Sequence, residues 1–410
     1  MGAGPRQLHV RMRGRSSTEA HRASSPLELL FDLTFVVAVA SLTAELSQWL
    51  LAGHPVAIAS FLQVFLAVWW AWVNFTWFAS AFDVDDALYR VLTLVQMAGV
   101  LIVAAGDPAA FERNDFRAIV IGYVIMRIAM VAQWIRAGVE HPETREAAFK
   151  YAGGILVVQI LWIGRLFVPP ALFTPTFLLL IVIEMTVPVW AEWRVRTSWH
   201  PGHIAERYAL FVIILLGEVV AAATGAMQRA LAESGLTPVL VTIGLAGLVL
   251  LFAIWWLYFL EPAELGLRLR RSWSYFWGYG HFLLFAGIAA IGAGLELAVE
   301  AAGHEPRIGL IATGYALALP VALVFVMLYV LHHPFHVDGE VPGRVLLPAA
   351  VLALLLPLAA PVTGVVGTGI GSAVIAAVTV VATVVIDQRR QRAAATNAAA
   401  ASSTPSNPAS

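Results

Sequence analysis

Several ionisable residues of this sequence lie inside long apolar segments, where a charge is costly to place. Glu28 and Asp32 stand four residues apart and would project from one face of a helix. Arg207 and Glu218 are eleven residues apart, close to three helical turns, and would share a face at different depths. A charge at the centre of a bilayer costs about 2.5–3.5 kcal/mol on insertion scales, so such residues usually pair or line a cavity. The remaining members of this set are Arg127, Glu184, Glu206 and His281.

The carboxylates of this set exceed the nearby positive charge that could balance them. Three acids, Asp32, Glu184 and Glu218, are set against one central arginine, Arg127. This surplus predicts a polar cavity suited to protons, cations or a basic group of a substrate. We therefore expect a proton- or cation-coupled transporter with its site between the first and seventh spans. Asp32 and Glu218 would be its carriers and Arg127 its counter-charge.

A structural alternative remains open for the same residues. Arg127 could form a buried ion pair with one of the acids and stabilise the bundle without a transport role. In that case the acids would contribute to folding and to no flux.

A cluster of acids follows the second apolar segment. Asp83, Asp85 and Asp86 are clustered there, with Arg90 shortly after. Carboxylate oxygens suit Mg²⁺ or Ca²⁺, so the cluster could hold a divalent metal and a lipid or isoprenoid phosphate in a membrane enzyme. The alternative is an acidic cap at the N-terminus of the next helix, where negative charge is favoured.

Other motifs of soluble chemistry are absent from the sequence. There is no nucleophile elbow, Walker-type phosphate loop or dinucleotide fingerprint. Beyond a divalent metal at the acidic cluster, no cofactor is expected, and an enzyme is the less favoured interpretation.

The composition places these residues in a bilayer. Of 410 residues, 60% are apolar and 12% are charged, whereas soluble domains average about 25% charged residues. The chain has no cysteine, which excludes disulfides and thiolate metal sites. A formal net charge of −1 argues against nucleic acid as a partner. The expected partners are the lipid bilayer and a small molecule or ion.

Apolar runs of the length needed to cross a bilayer recur along the chain. A span takes about 20 residues, and the sequence predicts an all-α bundle of about twelve spans. The predicted spans are 27–50, 56–81, 88–106, 117–136, 148–168, 171–190, 204–227, 238–260, 273–299, 307–331, 344–361 and 364–386.

Basic residues accumulate in alternate connecting segments, which predicts the orientation. The N-terminal stretch and the segments near Arg145, Arg194 and Arg270 are rich in arginine, whereas the intervening segments hold few basic residues. By the positive-inside rule both termini are predicted to be cytoplasmic in a multi-pass protein of the cytoplasmic membrane.

The same pattern divides the chain into a membrane domain and two tails. We predict a basic cytoplasmic N-terminal tail over 1–25, a transmembrane domain over 26–387 and a disordered cytoplasmic tail over 388–410. Within the membrane domain, 27–190 and 204–386 are candidate halves of a parallel internal repeat of six spans each. Trp69-Trp70 recurs as Trp255-Trp256, and Gly122-Tyr123 recurs as Gly314-Tyr315. Chance recurrence in an apolar chain is the alternative.

Aromatic residues are concentrated at the end of the second span. The run from Trp69 to Phe78 contains four tryptophans. A belt at the membrane interface explains such a run, and an aromatic-lined substrate site is the alternative.

Three separated motifs give the chain a family resemblance. They are Leu27-Glu28-Leu29-Leu30-Phe31-Asp32-Leu33-Thr34-Phe35, Phe82-Asp83-Val84-Asp85-Asp86, and Glu206-Arg207-Tyr208 continuing to Leu216-Gly217-Glu218. Together they resemble the bacterial low-temperature-requirement protein A (LtrA) family. The resemblance implies a multi-spanning bacterial membrane protein linked to growth in the cold, and it brings no established reaction or catalytic residue. It therefore adds a third hypothesis, a structural or regulatory membrane protein that supports growth at low temperature.

The chain departs from the family pattern at two motif positions. Leu30 stands where the family often has an aromatic residue, and Val219 follows the Gly-Glu pair where a small hydroxyl residue is common.

Overall fold

A computed structural model of the protein describes residues 8–16, 19, 23–82, 84–261, 263–303, 306–335 and 343–402. These residues contain thirteen α-helices and no β-strand. The helices are α1 (Pro26–Leu51), α2 (Ala57–Phe82), α3 (Ala87–Arg113), α4 (Arg117–Glu140), α5 (Arg145–Arg165), α6 (Phe173–Ala191), α7 (Pro201–Ser234), α8 (Pro238–Phe259), α9 (Ala263–Leu269), α10 (Ser274–Glu300), α11 (Leu310–His332), α12 (Gly343–Leu355) and α13 (Ala360–Ser402).

Eleven helical segments of the described chain are long and apolar enough to cross a membrane. This confirms the predicted bundle of membrane helices. The count differs from twelve at the C-terminal end, where one segment, Gly343–Arg390, replaces the predicted spans 344–361 and 364–386. Gly364, with φ of +68°, interrupts that segment, and a Cβ added to Gly371 would lie 2.6 Å from Leu356. In a straight helix these two residues would be about 22 Å apart, so the chain folds back at Gly364, the first residue of the second predicted span.

The helices form two compact units, and the division falls at Ala222 within α7. Unit 1 comprises the described residues up to Ala222, and unit 2 those from Ala223 onward. The tryptophan pairs of the predicted repeat have different surroundings in the two units. Trp69 and Trp70 are buried, whereas Trp255 and Trp256 are 45% and 48% exposed. The internal repeat and the cytoplasmic location of the termini stay predictions.

In unit 1, α3 and α4 pack closely because glycines meet at their contact. A Cβ added to Gly99 would lie 2.6 Å from the carbonyl oxygen of Gly122, and one on Gly122 would lie 2.5 Å from that of Gly99. Small residues of this kind let membrane helices approach one another. The contact also brings Gln96 within 2.9 Å of Gln133, an amide hydrogen bond in the core.

In unit 2, α10 and α11 also pack closely because glycines lie at their contact. A Cβ added to Gly294 would lie 2.6 Å from the carbonyl oxygen of Ala316, and one on Gly287 would lie 3.1 Å from Val324. The close pair holds α10, which carries His281, against α11.

Helix α1 begins with a capping box that also fixes a candidate site residue. The Ser25 side chain accepts the Glu28 N–H at 3.3 Å, and the Glu28 carboxylate accepts the Ser25 N–H at 2.7 Å. Pro26 fits the first turn because its missing N–H has no intrahelical role there. Glu28 is thereby anchored through one oxygen while the other remains available inside unit 1.

The described part of the predicted N-terminal tail is docked onto unit 1. Val10 donates its N–H to Asp86 at 2.9 Å, and Met12 donates its N–H to Glu140 at 2.5 Å. The Met12 side chain is fully buried. At the other terminus α13 continues to Ser402, so a helix extends into the region 388–410 where a disordered tail is predicted.

Candidate functional site

A buried ionic cluster joins α1 to α7 in unit 1. Arg207 donates through Nη1 to Glu28 Oε1 at 2.9 Å and through Nη2 to Asp32 Oδ1 at 2.5 Å. Its Nε donates to Asp32 Oδ2 at 3.1 Å, so the contact with Asp32 is bidentate. The three side chains are essentially inaccessible to solvent. We call these residues, with His203 and Trp72, the Arg207 cluster.

Two further side chains complete the Arg207 cluster. His203 Nε2 lies 3.0 Å from Glu28 Oε1, and Trp72 Nε1 donates to Asp32 Oδ1 at 2.7 Å. His203 and Arg207 stand four residues apart on α7, opposite the same spacing of Glu28 and Asp32 on α1. The two helices therefore present matched pairs of polar side chains to each other.

Aromatic rings surround this cluster. Trp72 packs against Phe211 with ring centroids 4.4 Å apart, and Phe31 packs against Phe75 at 3.9 Å. The Arg207 guanidinium carbon lies 6.0 Å from the ring centroids of both Trp72 and Phe75. Because these rings exclude water, each charge of the cluster depends on its partners for stabilisation.

The charges of the Arg207 cluster do not balance when His203 is neutral. Two carboxylates then share one guanidinium, which leaves one negative charge in surplus. A proton on His203 or on either carboxyl would restore balance. The arrangement can therefore take up one proton without creating net charge in the apolar core.

A second buried cluster joins α4 to α6. Arg127 Nη2 donates to Glu184 Oε1 and to the Tyr123 hydroxyl, both at 2.6 Å. Tyr123 donates in turn to Glu184 Oε1 at 2.6 Å, and Trp162 Nε1 donates to Glu184 Oε2 at 2.8 Å. One guanidinium and one carboxylate are balanced here. We call these four residues the Arg127 cluster.

Arg127 pairs with Glu184, one of the acids that the structural alternative offered as its partner. It was also expected as counter-charge to the carriers Asp32 and Glu218, but Asp32 is bound by Arg207. The reason is topological, because α4 carries Arg127 toward α6 and α7 carries its own arginine toward α1.

A cavity borders the Arg127 cluster within unit 1. Its volume is about 50 Å³, enough for a few water molecules. Glu184, Tyr123 and Trp162 line it together with Gln63 and Arg165, and the rest of its wall is mainly apolar. The balanced cluster therefore borders open space.

Glu218 and Glu206 lie apart from both clusters. Glu218 occupies the middle of α7, is half-buried, and has no hydrogen-bond or ion-pair partner among the described residues. Glu206 accepts the Ser24 N–H at 3.2 Å beside the start of α1. Of the two carriers predicted, the structure thus places Asp32 in a cluster and leaves Glu218 alone.

His281 belongs to a neutral polar group in unit 2. Its Nδ1 lies 2.7 Å from the carbonyl oxygen of Trp277, and its Nε2 lies 3.2 Å from the Tyr258 hydroxyl. Because a carbonyl only accepts, Nδ1 carries a proton, and in the neutral ring Nε2 accepts from the Tyr258 hydroxyl. The complete burial of the ring favours this neutral form.

The acidic cluster after α2 is bound by protein groups. Asp86 caps α3 by accepting the Tyr89 N–H at 2.9 Å, and it pairs with Arg136 at 2.5 Å. Asp85 pairs with Arg90 at 2.5 Å, and Asp83 lies outside the described residues. This geometry matches the cap interpretation. Among the residues that the structure describes, no group of three or more acidic, histidine or cysteine side chains is arranged to hold a metal.

The pKa of Asp86 reflects these contacts. Burial alone would raise it, but hydrogen bonds from Arg136 and from the N–H groups of Tyr89 and Val10 outweigh burial and lower the pKa to about 2. Asp86 is therefore a stable anion at any ordinary pH.

For three buried polar residues, the sequence did not predict the position or contact that the structure shows. Trp72 was assigned to an aromatic belt or a substrate site and is a donor to Asp32. His203 could have been found, because it stands four residues before Arg207 as Glu28 does before Asp32. Asp107 falls one residue beyond the predicted third span, yet α3 continues to Arg113 and buries it.

Comparison with known proteins assigns the chain to a family. The family model described as bacterial low temperature requirement A protein (LtrA) matches residues 23–385, so the chain belongs to that family. An uncharacterized protein of Rhizobium meliloti (strain 1021) is 27% identical over 310 residues, which cover 71% of this chain and 73% of that protein. No solved structure matches the chain.

Proposed function

We propose that this member of the LtrA family is a proton- or cation-coupled transporter of the cytoplasmic membrane, and that the Arg207 cluster is its proton-binding site. The observation that carries the proposal is the surplus carboxylate of that cluster, buried with His203 around one arginine. A site that gains balance by taking up a proton is suited to coupling.

The cluster also links protonation to helix position. When both carboxylates are ionised, Arg207 ties α1 to α7 through three hydrogen bonds. Protonation of Asp32 removes the charge assistance from two of them and weakens the tie. A proton therefore favours separation of the two helices, which is the kind of two-state element that coupled transport needs.

Glu218 is the proposed second carrier. It lies on α7 three turns beyond Arg207, at the middle of the helix and without a partner among the described residues. A lone carboxyl at that depth is stable when protonated or when it binds a cation. With both termini cytoplasmic, the Arg207 cluster lies near the inner surface and Glu218 near mid-membrane.

The test measures flux in proteoliposomes that contain a pH-sensitive dye. A pH gradient is imposed with Na⁺ or K⁺ on the opposite side, and proton movement is compared for wild type, D32N and E218Q. We expect both variants to lose most of the flux. Glu233→Gln is the matched control, because Glu233 is exposed at the end of the same helix. Unchanged flux in both variants would overturn the proposal.

A second variant covers the case in which D32N fails to fold. Glu28→Gln leaves one carboxylate against Arg207, so charge is balanced without a proton. E28Q should fold and should take up fewer protons than wild type after a pH jump in detergent. Equal uptake would count against the cluster as the proton site.

A structural role is the second candidate, and one observation favours it. Arg207 has all its contacts within a water-free core, as expected of an ion pair that only stabilises a bundle. In that case the variants would lower the amount of folded protein, and the flux per folded molecule would be unchanged. No corresponding observation favours a metal-dependent phosphate enzyme, because Asp85 and Asp86 are paired with arginines.

A further inference from the structure

We propose that Asp107 is a second proton-binding site, at the end of unit 1 away from the Arg207 cluster, and that Glu45 exchanges its proton with solvent. This goes beyond the proposed function, because the site shares no residue with the Arg207 cluster.

Asp107 is buried, and no hydrogen bond from the described residues offsets the cost of removing its carboxyl group from water. Its side chain is 1% exposed, and neither carboxylate oxygen has a hydrogen-bond partner among the described residues. An ionised carboxyl in such surroundings carries a large desolvation penalty that nothing repays, whereas a protonated one does not. The neutral acid is therefore the form that suits this position.

The Ser41 hydroxyl on α1 is within reach of Asp107 and of a backbone carbonyl that lacks its usual donor. Pro108 lies inside α3 and has no N–H, so the carbonyl of Ala104 lacks its intrahelical donor. The Ser41 hydroxyl from α1 donates to that carbonyl at 3.3 Å. A hydroxyl has one proton to give, so Ser41 cannot donate to the Ala104 carbonyl and to Asp107 at the same time.

No positive charge of the described residues compensates Asp107. The ionisable group that acts on it is another acid, Glu45 on α1, which also interacts electrostatically with Glu112. The facing arginines are exposed and paired elsewhere, Arg113 with Glu112 and Arg117 with Asp115.

Apart from Arg117 at the start of α4, the other helices packed against α3 contribute no charge at this level. Helix α2 contains no ionisable residue. From α4, Ala118 and Ile119 pack against Gly106, next to Asp107.

Exposure increases along three acids that interact electrostatically, from Asp107 through Glu45 to Glu112. Asp107 is buried, Glu45 is half-buried and Glu112 is exposed. In the exchange step the O–H bond of Asp107 breaks, the proton is taken by the Glu45 carboxylate, and the negative charge moves from Glu45 to Asp107. Glu45 then releases the proton to water near Glu112.

The proposal can be tested by chemical labelling of the full-length protein. Dicyclohexylcarbodiimide reacts with protonated carboxyls in apolar surroundings and spares ionised ones in water. We expect mass spectrometry to find the adduct on Asp107 at neutral pH and to find it declining as pH rises. Glu112 should stay unmodified, and D107N should lose the adduct.

Glu45→Gln keeps the test decisive if D107N fails to fold. Removing the adjacent negative charge makes ionisation of Asp107 easier, so the pH midpoint of labelling should shift downward. Absence of the adduct at every pH would overturn the proposal, and so would protection by Na⁺ at constant pH, which would identify a metal cation as the ligand. Labelling of Asp107 should be the same in D32N, so its failure is distinguishable from failure of the proposed function.

Discussion

The two buried arginines of unit 1 differ in charge balance and in access to space. Arg207 serves two carboxylates and has a histidine beside one of them, whereas Arg127 serves one carboxylate and a tyrosine. The balanced pair borders the cavity, and the unbalanced one lies among packed rings. Balance is what an ion pair needs for stability alone, so the comparison separates a cluster that can respond to protons from one that holds helices together.

Replacing each arginine should lower the melting temperature most, and the two losses should rank the clusters by their dependence on the arginine. Arg207→Gln leaves two buried carboxylates uncompensated, and Arg127→Gln leaves one. Losing one partner of a buried pair costs about 3–5 kcal/mol, so both variants should melt lower, and R207Q by more. Thermal unfolding in detergent, followed by size-exclusion chromatography, measures the order. A lower melting temperature for R127Q than for R207Q would contradict the difference in charge balance between the two clusters.

Neutralising one acid in each cluster should reverse that order. Glu184→Gln strands Arg127 without a counter-ion, at about 3–5 kcal/mol. Glu28→Gln leaves Arg207 paired with Asp32 and loses mainly the capping contact, at about 1 kcal/mol. E184Q should therefore unfold at a clearly lower temperature than E28Q. Equal losses would mean that Glu28 is as necessary to its cluster as Glu184 is.

Removing the tryptophan donors should cause smaller losses of stability, which should be similar in the two clusters. Trp72→Phe and Trp162→Phe each remove one hydrogen bond to a carboxylate while keeping most of the ring, at about 1.5–3 kcal/mol. W72F should also shift the pH dependence of proton uptake, since it weakens stabilisation of ionised Asp32. W162F should leave that dependence unchanged, and a shift in W162F instead would assign the proton site to Glu184.

The pair of Asp86 and Arg136 provides a reference at the helix ends. Its carboxyl has a folded-state pKa of about 2, below the ordinary value of 3.8. The stabilisation is therefore complete above about pH 4 and is lost as the pH falls toward about 2. Melting temperatures measured across this window should fall for wild type. Asp86→Asn should start lower and lack this component, whereas Glu112→Gln should behave as wild type.

The sequence predicted the membrane helices well because apolar length is a local property. The break near Gly364 was predicted from the ends of two apolar runs, and the site between the first and seventh spans from the buried acids of those spans. The choice of partner for Arg127 could not be predicted, because it depends on which helices become neighbours.

Asp107 was missed for a different reason. Pro108 suggests the end of a helix, but the helix continues, and the Ser41 hydroxyl from α1 contacts the Ala104 carbonyl that Pro108 leaves without its intrahelical donor. A repair made by a distant residue leaves no local pattern in the sequence, so the buried acid beside it was placed outside the membrane segment.

The separation of Asp32 and Arg207 by 175 positions sets an order of events during biosynthesis. At about 5–20 residues per second, the ribosome completes Arg207 roughly 10 to 35 seconds after Asp32. During that interval α1 holds three acids, Glu28, Asp32 and Glu45, and no cation, so its stable integration must wait for α7 or proceed with Glu28 and Asp32 protonated. The first helix made in unit 1 is therefore among the last to gain its stabilising ion pairs. A chain that stops before α7 would expose to the quality-control machinery an acidic helix that lacks its counter-charge.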